Sequence, residues 1–208
     1  HVDTTTIRAD IDRDRVGEPN SSDPDARYGK FPGQKTAPGY KQQTVVDDRS
    51  RVIVGLEVMP ANVHDTENSV RVVDQARDRM GQSPEAICAD AAYANGDTAV
   101  AMEDRHIRLV SPPQRPRTTS KERYFTIEQF TYDERRDVFT CPAGQTLTFI
   151  GVPKDRPDRR KYRAPRPACR VCPLKDQCTQ ASVRELKVGR HHASLVRLRA
   201  DRETGGFV

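Results

Sequence analysis

Ala86-Ile87-Cys88-Ala89-Asp90-Ala91-Ala92-Tyr93 is a short apolar run that breaks on an acid and continues in small residues. Gly81 and Pro84 punctuate the chain before it, and Asn95 to Arg105 reads as a helix after it. The run is therefore a strand between two helices, with Asp90 at its C-terminal edge. Open α/β sheets place their functional side chains at that edge. Upstream, Val70, Val73, Ala76 and Met80 recur at helical spacing and Asp65 stands where an N-cap belongs, which predicts a helix from Asp65 to about Met80. Downstream, Ile107 to Val110 is a further short strand.

Toward the N-terminus, Val2 to Arg8 alternates and is rich in Thr, as a strand is. Asp10 to Pro38 is charged and loop-like. Tyr40 to Val46 and Val52 to Met59, separated by the polar turn Asp47-Asp48-Arg49-Ser50, form a β-hairpin. The order is strand, strand, strand, helix, strand, helix, strand. It matches an α/β mixed sheet of the RNase H-like type, in which an antiparallel hairpin precedes βαβ units, although other α+β folds share parts of it.

Beyond Val110 the character changes. Ser111-Pro112-Pro113 to Pro167 is rich in Pro and Arg and holds one aromatic hairpin candidate, Tyr124 to Phe139; four of the five cysteines follow. Periodic helix resumes near Val183 and runs to about Arg202. The expected organisation is thus a core over 1–110, a basic, Cys-rich insertion over 111–185, and the start of a C-terminal helical region over 186–208. Hydrophobic residues make up only 35% of the chain and charged residues 31%, so the core is modest for the length, as polar insertion would make it.

The net charge of +5 is unevenly spread: residues 105–123 carry +5 and residues 151–170 carry +6, which leaves −6 for the remaining 169. An acidic body with two basic stretches suits a phosphate-bearing partner, or else the stretches are solvated arms. No apolar run approaches the roughly 20 residues that span a bilayer, and no signal-peptide pattern opens the chain. A cytoplasmic protein with reduced thiols is expected. A chain that begins at His1 and ends at Phe207-Val208 reads as a fragment.

Two-metal phosphoryl transfer needs carboxylates on the ends of adjacent strands, so that two divalent cations can sit roughly 4 Å apart. Asp3, on the first strand, and Asp90 meet that need if the strands neighbour each other; otherwise they are turn or cap acids. Asp10, Asp12 and Asp14 compete with Asp3 but fall in loop-like sequence.

At these residues the chain resembles a known family. Asp3-Thr4-Thr5 followed by Ala9, Asp23-Pro24-Asp25-Ala26-Arg27, Gly39-Tyr40-Lys41, Pro60-Ala61-Asn62-Val63-His64-Asp65 and Ala89-Asp90-Ala91-Ala92-Tyr93 are similar, in order, to the motifs of insertion-sequence DDE transposases. The resemblance implies an RNase H-like catalytic domain, Asp3 and Asp90 as the first two catalytic carboxylates holding Mg²⁺ or Mn²⁺, and double-stranded DNA as partner, nicked and joined at transposon ends by a protein that acts on the bacterial nucleoid, as a homodimer on DNA. The third acid departs from the pattern. The family's Glu-bearing stretch is missing; Glu203 resembles the segment just upstream and is the fallback, the alternative being a Glu beyond Val208.

Cys141-Pro142-Ala143-Gly144, Cys169-Arg170-Val171-Cys172-Pro173 and Cys178 combine a CxxC pair with two further cysteines among Pro and Gly, a donor set for tetrahedral Zn²⁺ in a zinc-ribbon-like segment, or else reduced structural cysteines. The surrounding segment has few apolar residues, so a metal would supply its missing folding energy. Transposases of this resemblance often carry the same cysteine pattern. Cys88 is expected to be a small buried hydrophobe, and His191-His192 to be surface helix residues rather than ligands. Arg159-Arg160-Lys161-Tyr162-Arg163 reads as a DNA-binding loop in which Arg159, Arg160, Lys161 and Arg163 track phosphates and Tyr162 offers a stacking face, or as a solvated charge run. Two other readings stand beside the transposase: a non-catalytic zinc-containing nucleic-acid-binding module, such as a decayed remnant, and a metal-dependent nuclease on the same fold.

Overall fold

In the computed structural model, residues 1–31, 33, 36–112, 114 and 124–203 are described, apart from the side chains of Arg202 and Glu203. The chain divides into two units, residues 1–114 with 194–208 and residues 115–193.

The first unit is built around a long antiparallel pair. β-Branched residues make β1 (Val2–Arg8), and β3 (Ala37–Val46) pairs with it from Val2 opposite Val45 to Arg8 opposite Gly39. β4 (Ile53–Pro60) closes the expected hairpin with β3, and the short β2 (Arg27–Gly29) also pairs with β3. The polar turn forms because the Asp47 carboxylate accepts from Ser50 N at 2.8 Å and Ser50 Oγ at 2.6 Å.

α1 (Ser69–Met80) follows and stops at Gly81, whose φ of 65° supplies the left-handed cap that a side chain resists. Asp65 is not its N-cap: the helix starts four residues later, and the Asp65 carboxylate lies 2.7 Å from Lys41 Nζ. Its buried residues are Ser69, Val72, Val73 and Ala76, while Val70 and Met80 of the expected stripe are only partly buried.

β5 (Ala86–Cys88) and β6 (Arg108–Val110) run parallel, joined by α2 (Gly96–Glu103), which Asn95 caps by accepting from Thr98 N at 2.9 Å. A single parallel bridge, Val2 to Ala89, links this pair to β1. The strands therefore run β4-β3-β1-β5-β6, the mixed sheet of an RNase H-like fold. Val2, Val45, Val72, Ala76, Ile87, Tyr93 and Leu109 contribute to one core. Cys88 departs from expectation. Alternation along β5 buries Ile87 and leaves Cys88 exposed.

The second unit is an antiparallel meander, β7 (Thr131–Asp133), β8 (Val138–Thr140), β9 (Thr146–Gly151), β10 (Arg159–Arg163) and β11 (Glu185–Gly189), each strand paired with the next. α3 (Arg166–Arg170) and α4 (Lys175–Cys178) lie between β10 and β11. The expectation of too few apolar residues is overturned: Phe130, Phe139, Leu147, Tyr162, Leu186 and Val188 are buried together. Helix does not resume at Val183. Leu186 and Val188 are buried at a spacing of two, a strand period, and helix begins only with α5 (His192–Glu203). From Ser194 on, α5 belongs to the first unit, where Ser194 Oγ and Arg197 bond Glu103, and Arg108 pairs with Asp201 at 2.7 Å. Among the described residues no helix is long and apolar enough to cross a membrane.

Candidate active site

β1 alternates across its sheet, so Val2 points into the core and Asp3 points out. Ala89 is likewise buried and Asp90 exposed. Because Val2 and Ala89 are the bridged pair, Asp3 and Asp90 are each the next residue along adjacent parallel chains. Asp3 Oδ1 accepts from Thr4 N at 2.8 Å, and Asp90 Oδ1 accepts from Ala92 N at 2.9 Å as the cap of the 3₁₀ turn Ala91–Tyr93. Neither carboxylate has a cationic partner among the described residues. Buried Ser111 donates from Oγ to the Asp90 carbonyl at 2.5 Å, which pins the end of this segment.

Beneath the acids sits Tyr93, 2% exposed. Its hydroxyl lies 2.9 Å from Thr4 Oγ1 and accepts from Gln43 Nε2 at 3.2 Å. Gln43, itself fully buried, also donates to the Asp65 carbonyl. Burial pushes the Tyr93 phenol up to about 12; the nearby carboxylates of Asp90, Asp65 and Asp3 add to the rise, against the bond to Thr4. Asp3, Asp65 and Asp90 are therefore all near enough to act electrostatically on one phenol. Tyr93 thus stays a neutral hydrogen-bonding post and ties β1, β3 and the turn after Asp90 together.

One motif glycine and one motif acid also shape β3. A Cβ at Gly39 would stand 2.1 Å from the Ile7 carbonyl and 2.8 Å from the Phe31 ring, so only glycine lets β3 lie this close to β1. Next to it, Tyr40 donates from its hydroxyl to Asp23, and burial followed by that carboxylate pushes the Tyr40 phenol up to about 12. Of the competing acids, Asp12 caps the 3₁₀ turn Arg13–Arg15 by accepting from Asp14 N. Glu203 ends α5, and its side chain lies outside the described residues. Arg105 and Arg108, in the first basic stretch, pair with Asp74 and Asp201; residues 115–123 of that stretch lie outside the described residues.

In the second unit Cys141, Cys169, Cys172 and Cys178 line one small pocket of about 20 Å³ with Arg184. Gly144, at φ 75°, turns the chain so that Gln145 N donates to Cys141 Sγ at 3.3 Å. Burial raises the Cys178 thiol; Arg184 lowers it, and the other three sulfurs raise it again. Even so, among the described residues no three or more His, Cys, Asp or Glu side chains are already arranged to hold a metal ion. His192 packs its ring against Tyr132 and Phe139, 5.1 and 5.2 Å between centroids.

The basic run Arg159 to Arg163 is β10 itself, so its residues separate to two faces. Tyr162 is 1% exposed and is part of the core rather than a stacking face, and its hydroxyl donates to Asp137 at 2.6 Å. Arg160 lies on that same side, paired with Asp137 and 4.3 Å above the Phe149 ring. Arg159, Lys161 and Arg163 lie on the other face, where Glu185 holds Lys161 at 2.8 Å and Arg163 at 2.6 Å. Sequence reasoning missed the hydroxyl post of Tyr93, although the residue lay in the motif. It also missed Gln43 and Asp137, whose isolated polar side chains carry no signal of the pairs they form.

None of the curated proteins compared with the chain matches it. The family profile of the transposase DDE domain matches residues 2–195, a span that holds both acids, the hairpin and the cysteine-bearing unit. With that match over most of its length, the chain belongs to the transposase DDE domain family, enzymes of the nuclease and transposase kind whose substrate is DNA.

Proposed function

We propose that the protein is a metal-dependent transposase catalytic domain in which Asp3 and Asp90 are catalytic carboxylates that cleave and join DNA strands at transposon ends. What carries this reading is the Val2–Ala89 bridge, after which the two acids are adjacent on neighbouring chains. Their environment supports a divalent cation. Each carboxylate is exposed and uses one oxygen for a backbone N–H, and among the described residues no cation neutralises either. Such a pair repels itself unless a hard cation joins it. Mg²⁺ or Mn²⁺ bound there would polarise the phosphodiester and stabilise charge on the attacking and leaving oxygens. The chain's own part is positional: Tyr93, Thr4 and Gln43 hold the two strands in register, Ser111 fixes the Asp90 backbone, and the carboxylates supply the ligand oxygens. Glu203 is the candidate third acid within this chain. Two copies acting on two element ends, on the nucleoid, complete the reading.

Cys141, Cys169, Cys172 and Cys178 form a structural Zn²⁺ site. The donor chemistry fits: four thiols line one ion-sized pocket, one already accepts a backbone N–H at sulfur, and Arg184 supplies positive charge beside them. Arg159, Lys161 and Arg163 contact DNA phosphates; Arg160 positions the strand through Asp137.

A nicking assay on supercoiled plasmid with Mg²⁺ or Mn²⁺ tests the enzyme. Asp3→Asn and Asp90→Asn should each lower the rate about a hundredfold or more, the scale of losing one preorganised electrostatic group. Wild-type rates in both variants would refute the assignment.

A further inference from the structure

Strand register sorts the side chains of β10 and β11. Lys161 faces Lys187 and Arg163 faces Glu185 across the antiparallel pair, and residues directly opposite share a face. The other face carries Tyr162, Leu186 and Val188, all buried. The outer face is therefore cationic: Lys161, Arg163 and Lys187 against Glu185, with Arg159 paired to Asp158 at 3.2 Å. It opens into a groove of about 980 Å³ lined by Arg163, Arg166, Thr179, Ser182, Glu185 and Lys187, along the edge strand of the sheet.

The charges in this groove are not all spent. Glu185 is held between Lys161 and Arg163 and cancels one of their two positive charges. Arg166 and Lys187 are exposed and have no acidic partner among the described residues. Arg166 makes one long bond, 3.3 Å to Ser182 Oγ, and Thr179 Oγ1 accepts from Ala181 N. Both hydroxyls keep a proton to donate. Two free cations flanked by two hydroxyl donors form a set that accepts anionic oxygens, the guanidinium as a fork and the ammonium as a point charge.

We propose that this groove binds the sugar–phosphate backbone of duplex DNA, with Arg166 and Lys187 as its principal phosphate contacts and Thr179 and Ser182 as hydrogen-bond donors. The proposal rests on the reading of the protein as a DNA-acting transposase and names a surface for that substrate outside the carboxylate site. Contacts of this kind are independent of sequence and fix how DNA lies on the second unit.

Fluorescence anisotropy of the whole 208-residue protein with a labelled duplex, across about 50 to 200 mM salt, tests it. Losing two phosphate contacts lowers the salt slope by about 1.8, so the fall in affinity over that range shrinks about twelvefold. Arg166→Ala with Lys187→Ala should show this change, and the charge-preserving pair Arg166→Lys with Lys187→Arg should not. Lys154→Ala, on the exposed turn before β10, should keep the wild-type slope. An unchanged slope in the double alanine variant, with DNA still bound, overturns the groove and leaves the transposase reading standing. No binding of duplex by the wild type at 50 mM salt overturns both. Displacement of the duplex by poly-glutamate at equal charge concentration would make the groove an acidic-protein site and overturn the proposal.

Discussion

Tyr93 Oη and Thr4 Oγ1 lie 2.9 Å apart across 89 residues of sequence, and the same phenol accepts from Gln43. One buried hydroxyl thus joins the strand that carries Asp3, the central strand of the hairpin, and the turn that follows Asp90. Tyr93→Phe should leave the ring packed but remove these bonds. It should cost about 1–2 kcal/mol of stability, the range for losing hydrogen bonds in a buried network. Mn²⁺ affinity should fall with it as the register of the two acids loosens. A melt and a Mn²⁺ titration indistinguishable from wild type would show that the hydroxyl organises nothing.

Gly39 makes the second structural prediction. Its absent side chain leaves room for the Ile7 carbonyl, a backbone atom that cannot rotate away. Gly39→Ala should push β1 off β3 and destabilise the first unit by about 2 kcal/mol or more, at the upper end of overpacking costs. The chemical denaturation midpoint measures this; an unchanged midpoint would mean the strands separate freely.

Much of this was legible in the sequence, and the reasons differ by element. The hairpin, α1, β5, α2 and β6 follow from local periodicity, which also sets Asp3 on β1 and Asp90 just past β5. The start of α1 was misread because Asp65 has the chemistry of a cap but is drawn to Lys41, a tertiary partner 24 residues earlier. Cys88 was misread because a three-residue strand has two faces and composition does not say which is buried. The strand β11 was read as helix because a short apolar run fits either period until its neighbours are known. The core of the second unit was missed because Phe130 and Phe139 of the hairpin candidate are completed by Leu147, Tyr162, Leu186 and Val188, which lie scattered through basic, Pro-rich sequence.

That core changes the expected outcome of removing metal. The purified protein should hold about one Zn²⁺ per chain, since four thiolates fill one tetrahedral shell. Cys172→Ser, or a chelator, should release the ion and loosen the segment from α3 to α4. The five-stranded meander should persist, because Phe130, Phe139, Leu147, Tyr162, Leu186 and Val188 are buried together, whereas Cys141, Cys169 and Cys178 pack against that cluster only partly buried. Amide exchange resolves the two regions. Collapse of protection across all five strands would restore the metal as the source of the fold.

Acid should act on the second unit through Asp137. Burial favours its neutral form, but hydrogen bonds from Tyr162 and Tyr132 and the Arg160 guanidinium outweigh this and hold its carboxyl below the ordinary value of 3.8. A depressed folded value means the stabilisation is fully present above the ordinary carboxylate range and is lost as pH falls through the folded value. Asp137→Asn should destabilise by about 1–2 kcal/mol at neutral pH, the scale of hydrogen bonds to a charged group that is partly exposed. The difference from wild type should shrink below about pH 4, as the wild-type carboxylate takes up its proton. A difference constant from pH 7 to pH 3 would exclude the charged form as the source.

The central claim is that Asp3 and Asp90 share a divalent cation. Mn²⁺ binding followed by electron paramagnetic resonance, in zinc-loaded protein so that the thiols are occupied, tests it most directly. The account predicts a Mn²⁺ site in the wild type that is weakened at least about tenfold by Asp3→Asn and, separately, by Asp90→Asn, the range for damaging a metal's ligand environment. Weakening by one variant and not the other, or equal Mn²⁺ affinity in all three proteins, would contradict it.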